Sequence, residues 1–171
     1  MENARFAQIL RRMEASGIAS PAQLRGCEEQ EIFELEKKYN VLLPYSYRQY
    51  LQVMGHDSSK LFGFDHVAAV YAAVIDITAD WSQYLEEEEM GPPASFVLPQ
   101  DALLISERLG DQFEFIRCVD KADSTVWYFN TWDWEIRVSY LSVYEWLECW
   151  CGQSEDAIAS GYFNPSSRGF R

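Results

Sequence analysis

The sequence predicts an α+β fold, a single domain in which helices pack on a mostly antiparallel sheet of about five to six strands. Three observations predict it. Apolar residues recur at helical spacing through the first half, short β-branched and aromatic runs separated by turn residues follow Gly91, and Ser142 opens a last amphipathic helix. Helices, then hairpin-linked strands, then a closing helix is an order typical of α+β domains.

Two helices joined by a tight elbow are predicted between Gly26 and Gly55. The first helix is amphipathic and ends at Asn40, because asparagine tolerates the left-handed backbone that often closes a helix. Pro44 begins the second helix, since its fixed φ and missing N–H suit a first helical position. One core is predicted to hold the apolar stripes of the elbow and the closing helix, namely Leu43, Tyr47, Leu51, Trp146 and Leu147.

The flanking segments complete the helical part. Residues 1–25 predict an N-terminal helical extension, and residues 61–65 predict a short strand. Residues 67–85 predict a further helix, although their β-branched side chains leave a strand interpretation open.

The second half predicts strands followed by the closing helix. The candidate strands are 96–98, 103–106, 112–119, 125–130 and 134–138. In the last of them apolar and charged residues alternate, which predicts one buried and one solvent-exposed face. Ser142 and Glu145 have the spacing of a capping box at the start of a helix. The main domain is placed at residues 26–151, and residues 152–171, rich in Gly, Ser and Asn, are expected to form a partly mobile tail.

The chain is strongly acidic, with a formal net charge of −13 and a pI of about 4.5. Such a surface repels nucleic acid and anionic membranes, so neither is expected as a partner, and it suits a basic protein. No apolar run approaches the roughly 20 residues of a membrane span, and the first residues lack a signal-peptide pattern, so a cytoplasmic location is expected. The 4 cysteines show no zinc-binding spacing and are expected to be free thiols.

No group of residues predicts catalysis, so the sequence is expected to encode no enzyme and to have no catalytic, cofactor-binding or metal-binding residues. His56 and His66 are the 2 histidines, and no third metal ligand stands at a usable spacing from them. Asp133 and Glu135 leave a small carboxylate-dependent hydrolase open as a less favoured alternative, because glycoside hydrolysis uses paired carboxylates. Their position beside a turn favours a solvated surface.

Two features predict a surface for a protein partner. An acidic run at a predicted helix end is electrostatically costly, because like charges repel and the helix dipole disfavours them there. Aromatic rings crowd one hairpin and cannot all point inward from a strand pair, so some are expected at the surface. A solvated helix end and a core role for the rings are the alternatives. The candidate partner-binding residues are Glu86, Glu87, Glu88, Glu89, Trp132, Asp133, Trp134 and Glu135.

The elbow also carries a family resemblance. An Ile-x-x-x-Glu helix precedes Leu-Pro-x-x-Tyr, an aromatic–Leu pair and a glycine, at Ile32, Glu36, Leu43, Pro44, Tyr47, Tyr50, Leu51 and Gly55. In this order and spacing the stretch resembles the SUKH superfamily, the group that holds the yeast cell-wall-synthesis regulator and many bacterial immunity proteins. Gly110 and Ser142 occupy further family positions, near the second hairpin and at the closing helix. Cys27 departs from the pattern, which often has a Ser or Thr cap there.

The resemblance implies a SUKH fold and, as the leading hypothesis, a bacterial immunity protein that binds a cognate polymorphic or contact-dependent toxin and occludes its active site. The implied partner is a toxin with a basic surface. A nuclease is one option, because nucleases need a basic groove for their substrate. The alternative role is an intracellular regulatory or scaffold protein like the yeast member. Neither role implies a cofactor, and the oligomeric state stays open.

Overall fold

Helices dominate the first half of the chain and strands the second half in the computed structural model, which describes residues 2–84, 92–119 and 122–164. The helices are α1 (Glu2–Ala15), α2 (Glu29–Tyr39), α3 (Tyr45–Met54), α4 (Tyr71–Tyr84) and α5 (Val143–Ala159), with a short 3₁₀ turn at Pro21–Gln23. The strands are β1 (Val67–Ala68), β2 (Ala102–Arg108), β3 (Gln112–Arg117), β4 (Val126–Asn130) and β5 (Arg137–Tyr140). None of the described helices has both the length and the apolar character that a bilayer crossing requires.

The strands form one five-stranded sheet in the order β1-β2-β3-β4-β5, and every neighbouring pair is antiparallel. Strands that follow each other in sequence therefore lie side by side, as hairpin-linked strands do. β1 and β5 are the two edges of this described sheet. The predicted α+β domain with an antiparallel sheet is confirmed.

The main core lies between the helices and one face of the sheet. It draws side chains from α1, α2, α3 and α5 and from the facing side of β2, β3 and β4. The five predicted core residues are all buried in it, which confirms that prediction: Leu43, Tyr47, Leu51, Trp146 and Leu147. Because side chains alternate along a strand, the opposite face of β3 presents Phe113 and Phe115 to a second, smaller cluster with Phe129 and Ile77.

The elbow follows from local signals in the sequence. Asn40 lies just after α2 with a φ of 51°, in the left-handed region, and its N–H donates to the carbonyl oxygens of Glu36 and Lys37. Pro44 immediately precedes α3 and occupies its N-cap position. The Glu36 side chain accepts a hydrogen bond from the N–H of Leu43 at 3.0 Å and fixes the approach of the chain to α3.

The first and last helices pack against each other. One face of α1 lies in the main core and comprises Phe6, Ile9 and Met13. At the rim, Arg5 pairs with Glu148 and Arg12 pairs with Glu155, each at 2.7 Å. α5 continues to Ala159, so the predicted boundary at residue 151 falls inside one helix. The predicted N-terminal extension therefore shares a core with the rest of the domain.

Two predicted strands are absent from the described elements, and one strand replaces the start of a predicted helix. Residues 61–65 and 96–98 form bends, a turn and irregular chain. Without strand pairing, Leu61 and Phe62 enter the main core, and Phe96 and Leu98 pack against the second cluster. Val67 and Ala68 pair with β2, and α4 begins only at Tyr71. The apolar pattern signalled burial correctly for those four residues of 61–65 and 96–98 and not for Val97, which is 73% exposed, and burial alone does not determine secondary structure.

The prediction of one buried and one exposed face for residues 134–138 is wrong. Ile136 and Val138 are exposed, and the strand begins only at Arg137. Trp134 has a φ of 58° and donates its N–H to the carbonyl of Asn130, so the chain makes a turn there before the edge strand. The turn interrupts the period-two pattern on which the prediction depended.

Candidate functional site

The turn that joins β4 to β5 holds the predicted aromatic and acidic residues. The side-chain oxygen of Asn130 accepts hydrogen bonds from the N–H groups of Trp132 and Asp133 at 2.9 and 3.1 Å, which shapes the turn. The two tryptophans then separate. Trp134 packs on Phe129 of the second cluster and is half-buried, whereas Trp132 is 68% exposed. Only Trp132 is therefore available to a partner as a large apolar surface.

The two carboxylates of this turn converge on one cation. The Arg137 guanidinium lies 2.7 Å from Asp133 and 2.6 Å from Glu135. Its hydrogen bond holds the pKa of Asp133 below the usual range. A glycosidase general acid needs a raised pKa, so this environment gives Asp133 the opposite property.

Exposed apolar side chains line the β5 edge of the sheet and its flanks. Their exposed fractions are 68% for Trp132, 36% for Ile136, 49% for Val138 and 76% for Leu141. We call these four residues the edge patch. A strand at the edge of a sheet presents backbone groups to one side, so an edge with apolar neighbours is suited to binding another protein.

A polar pocket of about 230 Å³ opens beside the same strand, between the sheet and α5. Ser139 and Tyr140 of β5 line it, so the pocket adjoins the edge patch. The other lining residues that matter here are Ser106, Arg108, Glu114 and Trp150. We call it the Glu114 pocket.

Glu114 occupies the floor of this pocket with hydroxyl and indole donors around it. Its Oε2 accepts from Ser106 Oγ at 2.7 Å and Trp146 Nε1 at 2.8 Å, and its Oε1 accepts from Ser139 Oγ at 3.2 Å. Burial raises the pKa of Glu114, because desolvation outweighs these hydrogen bonds. Within the described part of the chain, no basic side chain forms an ion pair with it, since Arg108 pairs with Asp65 at 2.9 Å.

Trp150, which also lines the pocket, carries an unsatisfied polar group of a different kind. The indole N–H of Trp150 is buried without a hydrogen-bond acceptor among the described residues. A buried carboxylate without a counter-ion and a buried donor without an acceptor both cost stability. A cationic group that entered the Glu114 pocket would supply the counter-ion for Glu114, and a hydrogen-bond acceptor would suit the Trp150 N–H.

The family of this fold is established by comparison with known proteins. The sequence model of the SMI1 / KNR4 family (SUKH-1) matches residues 26–149. The chain belongs to the SMI1/KNR4 family. The match begins at the first glycine of the elbow and ends within α5, which confirms the SUKH resemblance. Among curated proteins, no match was found.

The family match covers the elbow, the sheet and the first part of α5, and so contains the edge patch and Glu114, whereas Trp150 and Gln153 of the pocket wall lie beyond it. The acidic run Glu86–Glu89 also falls within the matched range but lies outside the described residues. Trp132, Asp133, Trp134 and Glu135 are all placed in one turn, yet only Trp132 is a largely exposed ring. The sequence singled out this turn without distinguishing the two tryptophans.

Sequence reasoning missed Glu114 in this SMI1/KNR4-family domain. A signal for it exists, because Glu114 stands between Phe113 and Phe115, and the residue two further along the same face, Ile116, is fully buried. An acid on the core-facing side of a central strand is unusual. The cluster of Cys27, Glu31 and His56 was also missed, since His56 lies 25 residues after Glu31 in the sequence.

Replacing Glu114 by glutamine is expected to stabilise the domain at neutral pH. The raised pKa means that the folded protein binds this proton more tightly than the unfolded chain does, so stability falls as pH rises through the raised value. Glutamine does not ionise, so the variant does not lose stability in this way. The difference in free energy of unfolding between Glu114→Gln and wild type should therefore disappear near pH 4, around the ordinary pKa of a glutamate. The measurement is urea unfolding of wild type and Glu114→Gln at neutral pH and near pH 4.

The exposed Glu14 provides the matched control, since Glu14→Gln makes the same chemical change on the surface of α1. Its free energy of unfolding should stay within about 0.5 kcal/mol of wild type at both pH values. A Glu114→Gln protein that is less stable than wild type at neutral pH would contradict the expected cost of the buried charge.

Proposed function

We propose that this SMI1/KNR4-family chain is a bacterial immunity protein, which binds a cognate toxin in the cytoplasm and blocks it stoichiometrically. It acts by binding and not by catalysis, with no cofactor and with neither nucleic acid nor membrane as a partner. The observation that carries the proposal is the edge patch, a group of exposed apolar residues on and beside the edge strand β5, in a chain of net charge −13. Apolar surface at the centre and charge around it are the usual composition of a protein interface.

The charge of the chain supports a basic partner. A toxin that acts on nucleic acid carries a basic groove for its substrate, and an acidic inhibitor is attracted to that groove by the same field. The Glu114 pocket adds a specific contact in this proposal. A lysine or arginine side chain of the toxin would enter it and supply the counter-ion that Glu114 lacks among the described residues.

The edge patch and the acidic run are expected to act on different rate constants. Changing Glu86, Glu87, Glu88 and Glu89 to glutamine should slow association several-fold and flatten its salt dependence, because long-range steering is weakened. Trp132→Ala should speed dissociation by about fivefold or more, since an exposed ring that becomes buried is a typical hot spot. The measurement is surface-plasmon-resonance kinetics with the toxin domain encoded by the neighbouring gene, at low and high salt.

Phe33 offers a matched control, because it is an exposed aromatic side chain on α2 and not at the sheet edge. Phe33→Ala should leave both rate constants unchanged within about twofold. Co-expression provides the functional readout: the wild-type chain should protect cells from the toxin, and Trp132→Ala should protect them less well. Absence of binding and of protection with every neighbouring toxin would refute the immunity role.

The alternative is a regulatory or scaffold protein of the same family, which would use the same edge patch on a non-toxic partner. The kinetic experiment separates the two roles, because a scaffold would give no protection in the co-expression assay. A gene neighbourhood without a secreted toxin would favour the scaffold.

A further inference from the structure

We propose that Cys27, Glu31 and His56 form a binding site for a divalent transition-metal ion of the Zn²⁺ class. The thiol sulfur, a carboxylate oxygen and an imidazole nitrogen of these residues lie within 4.8 Å of one another. The site is independent of the proposed toxin binding, because it lies at the α2–α3 end of the domain and not at β5. We call it the Cys-Glu-His cluster.

Two segments of the chain meet at the cluster, residues 27–31 and the residues that follow α3, and backbone hydrogen bonds join them. Cys27 precedes α2, and its N–H donates to the carbonyl of Leu51 in α3 at 2.8 Å. His56 follows α3, and its N–H donates to the carbonyl of Arg25 at 2.8 Å. Glu31 lies in the first turn of α2. A ligand set held by rigid backbone needs little reorganisation to bind an ion.

The side chains already converge on a common point. His56 Nε2 lies 3.0 Å from each carboxylate oxygen of Glu31. In a tetrahedral zinc site with bonds of about 2.0–2.3 Å, neighbouring ligand atoms are about 3.3–3.8 Å apart. The three atoms therefore reach that spacing with shifts on the order of 1 Å.

Neighbouring groups support the ligands. The Oε2 of Glu31 accepts a hydrogen bond from the N–H of Glu28 at 2.7 Å, which orients the carboxylate and leaves Oε1 for an ion. Gly55 makes room for the sulfur, because a Cβ at that position would lie 2.5 Å from Cys27 Sγ. The His56 ring packs edge-on against Tyr71, which limits its rotation. Glu28 is also the N-cap of α2, so Cys27 is not needed as a cap.

The chemistry of the cluster selects its ion. A thiolate with an imidazole and a carboxylate suits Zn²⁺ and Co²⁺ and is poor for Mg²⁺ or Ca²⁺, which prefer oxygen ligands. The two anionic ligands balance the 2+ charge of the ion once Cys27 loses its proton to solvent. Cys27 is buried while Glu31 and His56 reach solvent, so the ion enters from the outer side and keeps a water as fourth ligand.

Cobalt provides the direct test, because a thiolate bound to Co²⁺ gives a charge-transfer band in the near ultraviolet and a tetrahedral Co²⁺ gives visible d–d bands. The purified full chain, reduced and free of metal, is titrated with Co²⁺ and then with Zn²⁺. We expect both bands to saturate at one Co²⁺ per chain and to be displaced by Zn²⁺. We also expect Zn²⁺ to raise the melting temperature of wild type and not that of His56→Gln.

The chain offers a control for two of the three ligand types. Cys149 is an exposed cysteine outside the cluster, and His66 is the second histidine. Cys27→Ser should remove the charge-transfer band, and His56→Gln and Glu31→Gln should weaken Co²⁺ binding at least tenfold. Cys149→Ser and His66→Gln should behave as wild type. Circular dichroism checks that each variant is folded. If Cys27→Ser does not fold, His56→Gln still tests the site, because His56 is partly exposed.

The alternative is that the cluster is only an ion pair between His56 and Glu31 beside a buried thiol. That outcome is recognised by the absence of a charge-transfer band at saturating Co²⁺. A band that survives Cys27→Ser and disappears in Cys149→Ser would assign the binding to the exposed cysteine. Either result overturns the proposal and leaves the proposed toxin binding untouched.

Discussion

Replacing Trp146 by alanine is expected to lower the free energy of unfolding by about 3–5 kcal/mol, the usual range for a fully buried tryptophan. The Trp146 side chain has no exposed surface. It stacks on Phe62 with ring centroids 5.0 Å apart and meets Tyr50 edge-on at 5.6 Å. Its indole N–H also donates to Glu114 at 2.8 Å, so truncation removes a donor from a buried carboxylate as well as core volume.

Urea unfolding followed by circular dichroism measures this loss. Trp146→Phe separates its two parts, because phenylalanine keeps most of the ring and removes the N–H. Leu141→Ala is the control, since Leu141 is 76% exposed and should change stability by at most about 0.5 kcal/mol. A Trp146→Ala protein within about 1 kcal/mol of wild type would mean that this part of the core is not packed as described.

Replacing Gly26 by alanine is expected to destabilise the domain by more than the about 1–3 kcal/mol of an ordinary overpacked core site. A Cβ at Gly26 would lie 1.8 Å from the backbone oxygen and 2.4 Å from the backbone carbon of Gln52, in α3. Backbone atoms inside a helix cannot rotate away as a side chain can. The segment before α2 would have to separate from α3, which breaks the entrance to the elbow.

Gly152→Ala is the matched substitution, and it is expected to raise stability where Gly26→Ala lowers it. It lies inside α5, and an added Cβ would meet only the Arg12 guanidinium, at an ordinary contact distance of 3.5 Å. Gly152→Ala should stabilise the protein by about 0.5–1 kcal/mol, because alanine loses less backbone entropy in a helix. Thermal unfolding of the two variants compares them directly, and similar melting temperatures would contradict the close approach at Gly26.

The elements with local signals were predictable from the sequence. The elbow carries its own stop and start residues. Asn40 ends α2 as predicted, and Pro44 lies one position earlier than predicted, at the N-cap of α3 and not in its first helical position. Ser142 likewise caps α5, accepting a hydrogen bond from the N–H of Glu145. β1 was not predictable in this way, because its two residues become a strand only through pairing with Arg108 and Glu107 of β2.

The candidate sites depended more on tertiary structure. The sequence indicated that some rings of the β4–β5 hairpin must reach the surface, but the turn around Asn130 decides that Trp132 is largely exposed and Trp134 half-buried. Glu114 acquires its pocket from the neighbouring strand β2 and from β5 and α5, and the last two lie far from it in the sequence. The Cys-Glu-His cluster requires α2 and α3 to be folded together, so its residue spacing resembles no metal-binding motif.

The packing of α1 against α5 has a consequence for synthesis. α1 leaves the ribosome before every other described helix, and its apolar face, with Phe6, Ile9 and Met13, is covered partly by the last of them. At about 5–20 residues per second, translation from the end of α1 to the start of α5 takes on the order of ten seconds. During that time the nascent chain carries an exposed hydrophobic helix, a form that general chaperones recognise. The complete core therefore forms only once the ribosome has released α5.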